Sequence, residues 1–118
     1  PAPAPVSSDY GLAASLIAEI NAYRQANGLA PLQVSGSLNG YAQSCAAGMA
    51  AVDAPLAHCR SGEIIQYNTN GSPSAWLVAF QNSPAHNAIM LLPDVVFIGG
   101  GVSLSPGGRY YSVINVSY

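Results

Sequence analysis

The chain has 118 residues, a length typical of one domain. Half of its residues are hydrophobic, only 7% are charged, and the formal net charge is -2. The chain has five acidic residues, three arginines and no lysine, which excludes a basic nucleic-acid surface, a P-loop and lysine Schiff-base chemistry. No apolar run reaches the roughly 18 residues that indicate a transmembrane helix.

The N-terminal segment is rich in proline. The run Pro1-Ala2-Pro3-Ala4-Pro5 resembles the stiff linker that often follows a removed signal segment. We therefore divide the chain into a Pro/Ser-rich linker over residues 1–9 and a single domain over residues 10–118. The same segment leads us to expect a secreted, extracellular or cell-envelope protein.

Cys45 and Cys59 are the only cysteines. Their spacing suits a disulfide in an exported protein, and the alternative is a pair of buried thiols in a cytosolic one. The polar loop around Cys59 would leave a thiol exposed, and this favours the disulfide.

Two helices are predicted in the first half of the chain. Leu12, Leu16, Ile20 and Tyr23 recur at the helical period, and Asn27-Gly28 ends this first helix. The second helix runs from about Ser35 or Ser37 to Val52 and contains two glycines, which cost about 1 kcal/mol each relative to alanine. We expect these glycines, Gly40 and Gly48, to allow close packing against a sheet.

The second half of the chain predicts a strand, two short helices and a hairpin. The strand covers residues 63–67, the helices start near Ser72 or Ser74 and at Pro84, and the hairpin pairs residues 95–104 with 109–118. The Gly99-Gly100-Gly101 run predicts a strand without side chains on part of one face, so that a helix can approach closely. Helices on both sides of a small hairpin sheet indicate an α+β or α-β-α layered fold.

Few side chains can carry out chemistry. His58, His86 and Glu63 together could form a metal site or an acid–base pair. Spacing by itself favours a simpler interpretation, in which one histidine is exposed and the other is paired with Glu63. A Gly-x-Ser-x-Gly nucleophile motif does not occur.

The order of short motifs resembles the CAP superfamily, which contains cysteine-rich secretory proteins, antigen 5 and pathogenesis-related protein 1. Compact bacterial members, the SCP-like extracellular domains, are the most similar. The resemblance covers residues 12–118. It rests on seven motifs in the family's order, namely Leu16 to Arg24, Asn27 to Leu32, Ala57-His58 followed by Gly62-Glu63, Ser83-Pro84-Ala85-His86, Pro93-Asp94, Ile98 to Val102 and Gly108 to Tyr111.

The resemblance implies a three-layer α-β-α sandwich with a small, mainly antiparallel central sheet. It also implies a cleft in which His58, Glu63 and His86 converge, with the two histidines able to hold a divalent metal such as zinc. The family's second cleft glutamate falls near Ser74 or Ala75, and neither is acidic. A mechanism that needs two carboxylates is therefore expected to be lost.

These observations favour a binding module that takes a lipid- or sterol-like molecule, or a partner protein. The alternatives are a metal-dependent, peptidase-like hydrolase with Glu63 as the base, and an interaction protein whose cleft is vestigial. We expect no robust proteolysis, no nucleic-acid partner and a monomer. An exposed apolar groove beside His86 is the predicted ligand site, and its candidate residues are Trp76, Phe80, Ile89 and Tyr67. The alternative role, favoured for most of the apolar residues beside His86, is packing in the core.

Overall fold

Residues 7–118, which a computed structural model describes, form four helices and five strands. In chain order these are β1 (Ser7–Ser8), α1 (Tyr10–Ala26), β2 (Gln33–Val34), α2 (Gly36–Ala50), β3 (Glu63–Asn68), α3 (Pro73–Gln81), α4 (Pro84–Met90), β4 (Phe97–Leu104) and β5 (Tyr110–Ser117). The predicted α+β class is confirmed, and every predicted helix and strand is present with small shifts at its ends. The two-residue strands β1 and β2 were not predicted.

The five strands form one sheet in the order β1-β4-β5-β3, with β2 also beside β4. The central pairs, β4 with β5 and β5 with β3, are antiparallel, whereas β2 is parallel to β4. Residues 1–6 of the predicted linker lie outside the described residues. Ser7 and Ser8, which the sequence placed in that linker, pair with β4 and so join the sheet.

Helices cover both faces of the sheet, which confirms the three-layer sandwich. Alternate residues of β3 and β5 point to opposite faces and so build two separate cores. The core on the α2 side contains Ala42, Cys45, Ala46, Met49, Ile65, Tyr111 and Val113. The core under α1, α3 and α4 contains Leu16, Ile20, Ile64, Trp76, Phe80, Met90 and Ile114.

Helix α2 lies directly on β4 because two strand glycines leave room for it. A Cβ atom at Gly99 would overlap the backbone of Leu38, and one at Gly101 would overlap the backbone of Ala42. The predicted role of the glycine run is therefore confirmed. The expectation for the helix glycines was wrong, since Gly40 and Gly48 face open space and the close approach is made by the strand.

Polar side chains of α2 bind the edge of β4 between the short strands β1 and β2. The amide nitrogen of Gly100 donates to Asn39 Oδ1 at 3.0 Å, and that of Val102 donates to Gln43 Oε1 at 3.2 Å. Gln43 Nε2 donates in turn to Ser103 Oγ at 2.8 Å. These bonds satisfy backbone groups that no neighbouring strand reaches, which a buried strand edge requires.

A buried arginine joins α1 to the end of α4. Arg24 is 1% exposed, and its guanidinium donates to the carbonyl oxygens of Ala30 at 2.9 Å and of Met90 and Leu92 at 2.8 Å. Burial lowers the pKa of the Arg24 guanidinium from its usual value. The side chain thereby fixes the helix that carries His86.

Candidate functional site

Glu63 lies at the start of β3 and is sealed from solvent. Its side chain is 0% exposed, and Oε1 accepts a hydrogen bond from the amide nitrogen of Cys59 at 2.8 Å. His58 Nδ1 lies 3.4 Å from the same oxygen, and the His58 side chain is 59% exposed. The structure therefore brings His58 and Glu63 together, with the carboxylate inside and the imidazole at the surface.

The predicted disulfide between Cys45 and Cys59 is confirmed, with Cα atoms 6.0 Å apart. It ties the buried face of α2 to the loop that precedes β3. Cys45 Sγ lies 3.9 Å from Glu63 Oε1, so the disulfide packs against the carboxylate. Because Cys59 follows His58 in the chain, the same bond anchors the backbone beside the imidazole.

His86, near the start of α4, stacks edge-on against Phe80 with ring centres 5.4 Å apart. Burial lowers the pKa of His86 from 6.5, and the charge of His58 lowers it further. Above pH 6.5 His86 is therefore neutral, which is the form that binds metals.

The donor types for the implied zinc ion are present, but they are not gathered as a three-ligand set. Within residues 7–118, the group of three His, Cys, Asp or Glu donors within 4.8 Å of one another is Cys45, Cys59 and Glu63. That group contains neither histidine.

Asn115 is a buried polar neighbour of Glu63 that sequence reasoning missed. The two residues are cross-strand partners, so their side chains share one face of the sheet. Glu63 Oε2 and both amide atoms of Asn115 are buried, with no hydrogen-bond partner among the described residues. The sequence contained a signal for this residue, since an asparagine between the apolar Ile114 and Val116 indicates a polar side chain inside a buried strand.

The predicted ligand residues do not line one groove. Trp76 and Phe80 are both 0% exposed in the core, and Ile89 packs against that core from α4. Tyr67 lies on the opposite face of the sheet and contacts Tyr111, because alternate strand residues point to opposite faces. Residues 7–118 thus form no open groove through Trp76 and Phe80, and the ligand-binding role of the four residues stays a prediction.

An apolar cavity of about 160 Å³ lies elsewhere, between the first two helices. Its walls come from α1, β2, the start of α2 and the middle of β4. Tyr10 and Val34 are largely exposed at its rim. The lining residues are Tyr10, Ala13, Ala14, Ile17, Val34, Asn39 and Gly100.

A second, more polar depression of about 460 Å³ follows the loop of the disulfide. Residues 58–63 line this depression, which places it beside His58 and Glu63. Among residues 7–118 no helix is both long and apolar enough to cross a lipid bilayer.

Comparison with solved structures shows the same fold at low sequence identity. An outer surface protein from Borrelia burgdorferi is 17% identical with a TM-score of 0.74, and the match covers 88% of this chain and 90% of that one. A cysteine-rich secretory protein from Staphylococcus aureus is 17% identical with a TM-score of 0.69, over 91% of this chain but 38% of that chain. The hookworm platelet inhibitor is 13% identical with a TM-score of 0.68, over 93% and 70% of the two chains.

The sequence comparisons give the family. No curated protein matches the chain in sequence. The model of the cysteine-rich secretory protein family, CAP, matches residues 17–116, which span α1 to β5. The chain therefore belongs to the CAP family.

Proposed function

We propose that this CAP domain is a binding module of an exported or cell-envelope protein, and that it holds the aliphatic chain of a small amphiphile. The observation that carries the proposal is the apolar cavity between α1, β2, α2 and β4. None of its lining residues is charged, and most of them are aliphatic. A charged or strongly polar ligand would lose its hydration there without gaining partners.

The size of the cavity sets the length of chain that it can hold. An apolar protein cavity of about 150 Å³ accommodates a benzene ring, so this one takes about six carbon atoms. Each buried methylene contributes about 0.8 kcal/mol. The polar head of the ligand would remain in water beyond Tyr10 and Val34, which are exposed at the rim.

The disulfide supports a location outside the cytoplasm. Structural disulfides form and persist in oxidising compartments and are rare in the cytosol. The Cys45–Cys59 bond joins α2 to the loop before β3, and the described residues contain no unpaired cysteine. The proposed site of action is therefore the extracellular space or the cell envelope.

The surroundings of Glu63 argue against the hydrolase alternative. A general base must reach the water or proton that it acts on, whereas the Glu63 side chain is sealed and its Oε1 is occupied by the Cys59 amide. Where the family's second glutamate is expected, Ser74 donates a hydrogen bond to Glu19 at 3.1 Å. We expect no peptide turnover that disappears in a Glu63→Gln variant, and such turnover would favour the hydrolase.

A homologous series of fatty acids tests the proposed ligand. Calorimetric titration should show the dissociation constant falling about fourfold per added methylene, and levelling off once about six carbons are buried. Methyl signals of Ile17 and Val34 should shift saturably in the same titration. An affinity that does not depend on chain length would contradict an aliphatic occupant.

Two variants of the same helix locate the site. Ala14→Phe places a ring in the cavity and should weaken binding at least tenfold, because the ring takes the space of the chain. Ala22→Phe adds the same ring at an exposed position of α1 outside the cavity and should leave binding unchanged. Equal affinity of the Ala14→Phe variant and the unaltered protein would exclude this cavity.

A further inference from the structure

The disulfide and Glu63 form a cluster of metal-ligand atoms that the proposed binding function does not use. Cys45 Sγ, Cys59 Sγ and one carboxylate oxygen of Glu63 all lie within 4.8 Å of one another. In a tetrahedral zinc site with bonds of about 2.0–2.3 Å, neighbouring ligand atoms are separated by about 3.5 Å. The distances between these atoms in the oxidised protein are therefore close to those between the ligands of a zinc ion.

A fourth donor stands beside the cluster. His58 Nδ1 is 3.4 Å from Glu63 Oε1, and its exposed ring can turn without crossing the core. The loop that carries His58 and Cys59 is exposed, so the thiol of Cys59 can move away from that of Cys45 after the bond is broken. Two thiolates, an imidazole and a carboxylate are a ligand set that suits zinc.

The buried carboxylate explains why the reduced state would favour a cation. Glu63 Oε2 is buried without a hydrogen-bond partner among residues 7–118, and the oxidised disulfide adds no charge beside it. Reduction places two thiols against this carboxylate, and each thiolate that forms adds a like charge beside it. A divalent ion offsets these charges and supplies the missing partner.

We propose that reduction of the Cys45–Cys59 disulfide converts this cluster into a divalent-metal site whose ligands are Cys45, Cys59, Glu63 and His58. A dithiol reductant transfers two electrons and two protons to the disulfide and is itself oxidised to a cyclic disulfide. The metal ion then displaces the two thiol protons into water and binds both sulfurs. The site is distinct from the histidine pair that the family resemblance implies, since its defining ligands are the two thiolates.

Cobalt(II) titration tests the proposal, because cobalt reports its own ligands by absorption. The protein is reduced without oxygen by a water-soluble phosphine, which is then removed. Saturation at one ion per chain is expected, with thiolate-to-cobalt charge-transfer absorption and the intense visible bands of tetrahedral cobalt. The oxidised protein should show neither signal, and a reduced, folded protein without charge transfer would overturn the proposal.

Variants separate a built site from two loosely connected cysteines. Glu63→Gln and His58→Ala should each weaken cobalt binding at least about tenfold in the reduced protein. Asp94→Asn serves as the control, because it removes an exposed carboxylate outside the cluster and should leave the affinity unchanged. Affinity that is equally strong in urea-unfolded chain would show that the fold contributes nothing, and would also overturn the proposal.

If reduction by itself unfolds the domain, the metal site is still testable by refolding. Metal binding to a folded site then stabilises the native state, so cobalt or zinc should restore the far-ultraviolet circular dichroism of the oxidised protein. A reduced chain that stays unfolded at saturating metal would contradict the proposed site.

Discussion

Arg24 shows how one residue can decide the position of a whole segment. It occupies the buried face of α1, where an apolar residue would continue the stripe through Leu16 and Ile20. Its guanidinium instead binds three carbonyl oxygens that follow α1 and end α4. A planar fork with several donors can serve three acceptors at once, whereas an ammonium cannot hold the same geometry.

We predict that Arg24→Lys lowers the free energy of unfolding by about 2–4 kcal/mol, because buried carbonyls lose charged hydrogen bonds. Urea unfolding at neutral pH measures the change. Arg60→Lys is the matched control, since Arg60 is exposed and its guanidinium carbon lies 4.0 Å from the centre of the Tyr41 ring. That control should change stability by less than about 1 kcal/mol. Equal losses in the two variants would refute the anchoring role of Arg24.

His86 makes stability depend on pH in a defined direction. Burial, and then the charge of His58, lower the pKa of His86 below 6.5 in the folded protein. The unfolded chain therefore takes up this proton at a higher pH than the folded chain does. The stabilising contribution is complete above pH 6.5 and is lost as the pH falls through the lowered value of the folded state.

Unfolding titrations between pH 8 and pH 5 measure this linkage in the unaltered protein and in His86→Gln. We expect the unaltered protein to lose more stability on acidification than the variant, because glutamine carries no titrating proton. The comparison removes the contributions of other titrating groups. A variant that loses as much stability as the unaltered protein would show that His86 titrates normally.

At the scale of elements, the contact between α2 and β4 depends on glycines at the strand positions that face the helix. Gly101→Ala would drive a Cβ atom into the backbone of Ala42 and Gln43, which cannot yield without moving the helix. We predict a loss of about 3 kcal/mol or more in the free energy of unfolding. Gly40→Ala, in α2 itself, meets open space and should raise stability by up to about 1 kcal/mol.

Chemical denaturation of these two alanine variants compares the same substitution in two environments. Both variants replace one glycine by alanine, so both restrict the backbone of the unfolded chain. A loss of stability in one and a gain in the other therefore separates the effect of packing from that of backbone entropy. If Gly101→Ala proved neutral, α2 would have to lie further from β4 than the structure places it.

At the scale of the whole molecule, the disulfide joins parts of the chain that would otherwise be held by packing alone. It connects α2 to the loop before β3 across a sequence separation of 14 residues. A loop of about 15 residues closed in the unfolded chain contributes about 3 kcal/mol to stability. Reduction, with metal excluded by a chelator, should therefore lower the free energy of unfolding by about 3 kcal/mol.

Urea midpoints of the oxidised and reduced protein test this, and a Cys45→Ala/Cys59→Ala double variant checks the reduced value. An unchanged midpoint would contradict this entropic contribution, because the loop of the reduced, unfolded chain would then have to be as restricted as the cross-linked loop.

The sequence alone determined the features that depend on local periodicity and on motif order. The apolar stripe of α1, the turn after it and the glycine-rich hairpin follow from rules that act within a few residues. The polar loop around Cys59 pointed to the disulfide. Ordered motifs gave the family because each one retains its place in the chain even where neighbouring residues differ.

Only the tertiary structure decided which side chains share a surface. Trp76 and Phe80 lie in the core, Tyr67 lies on the other face, and Glu63 is sealed beneath the disulfide. The apolar cavity joins α1, β2, α2 and β4, whose residues are far apart in sequence. Local patterns state that a residue is apolar or charged, but burial depends on the elements that the complete fold places against it.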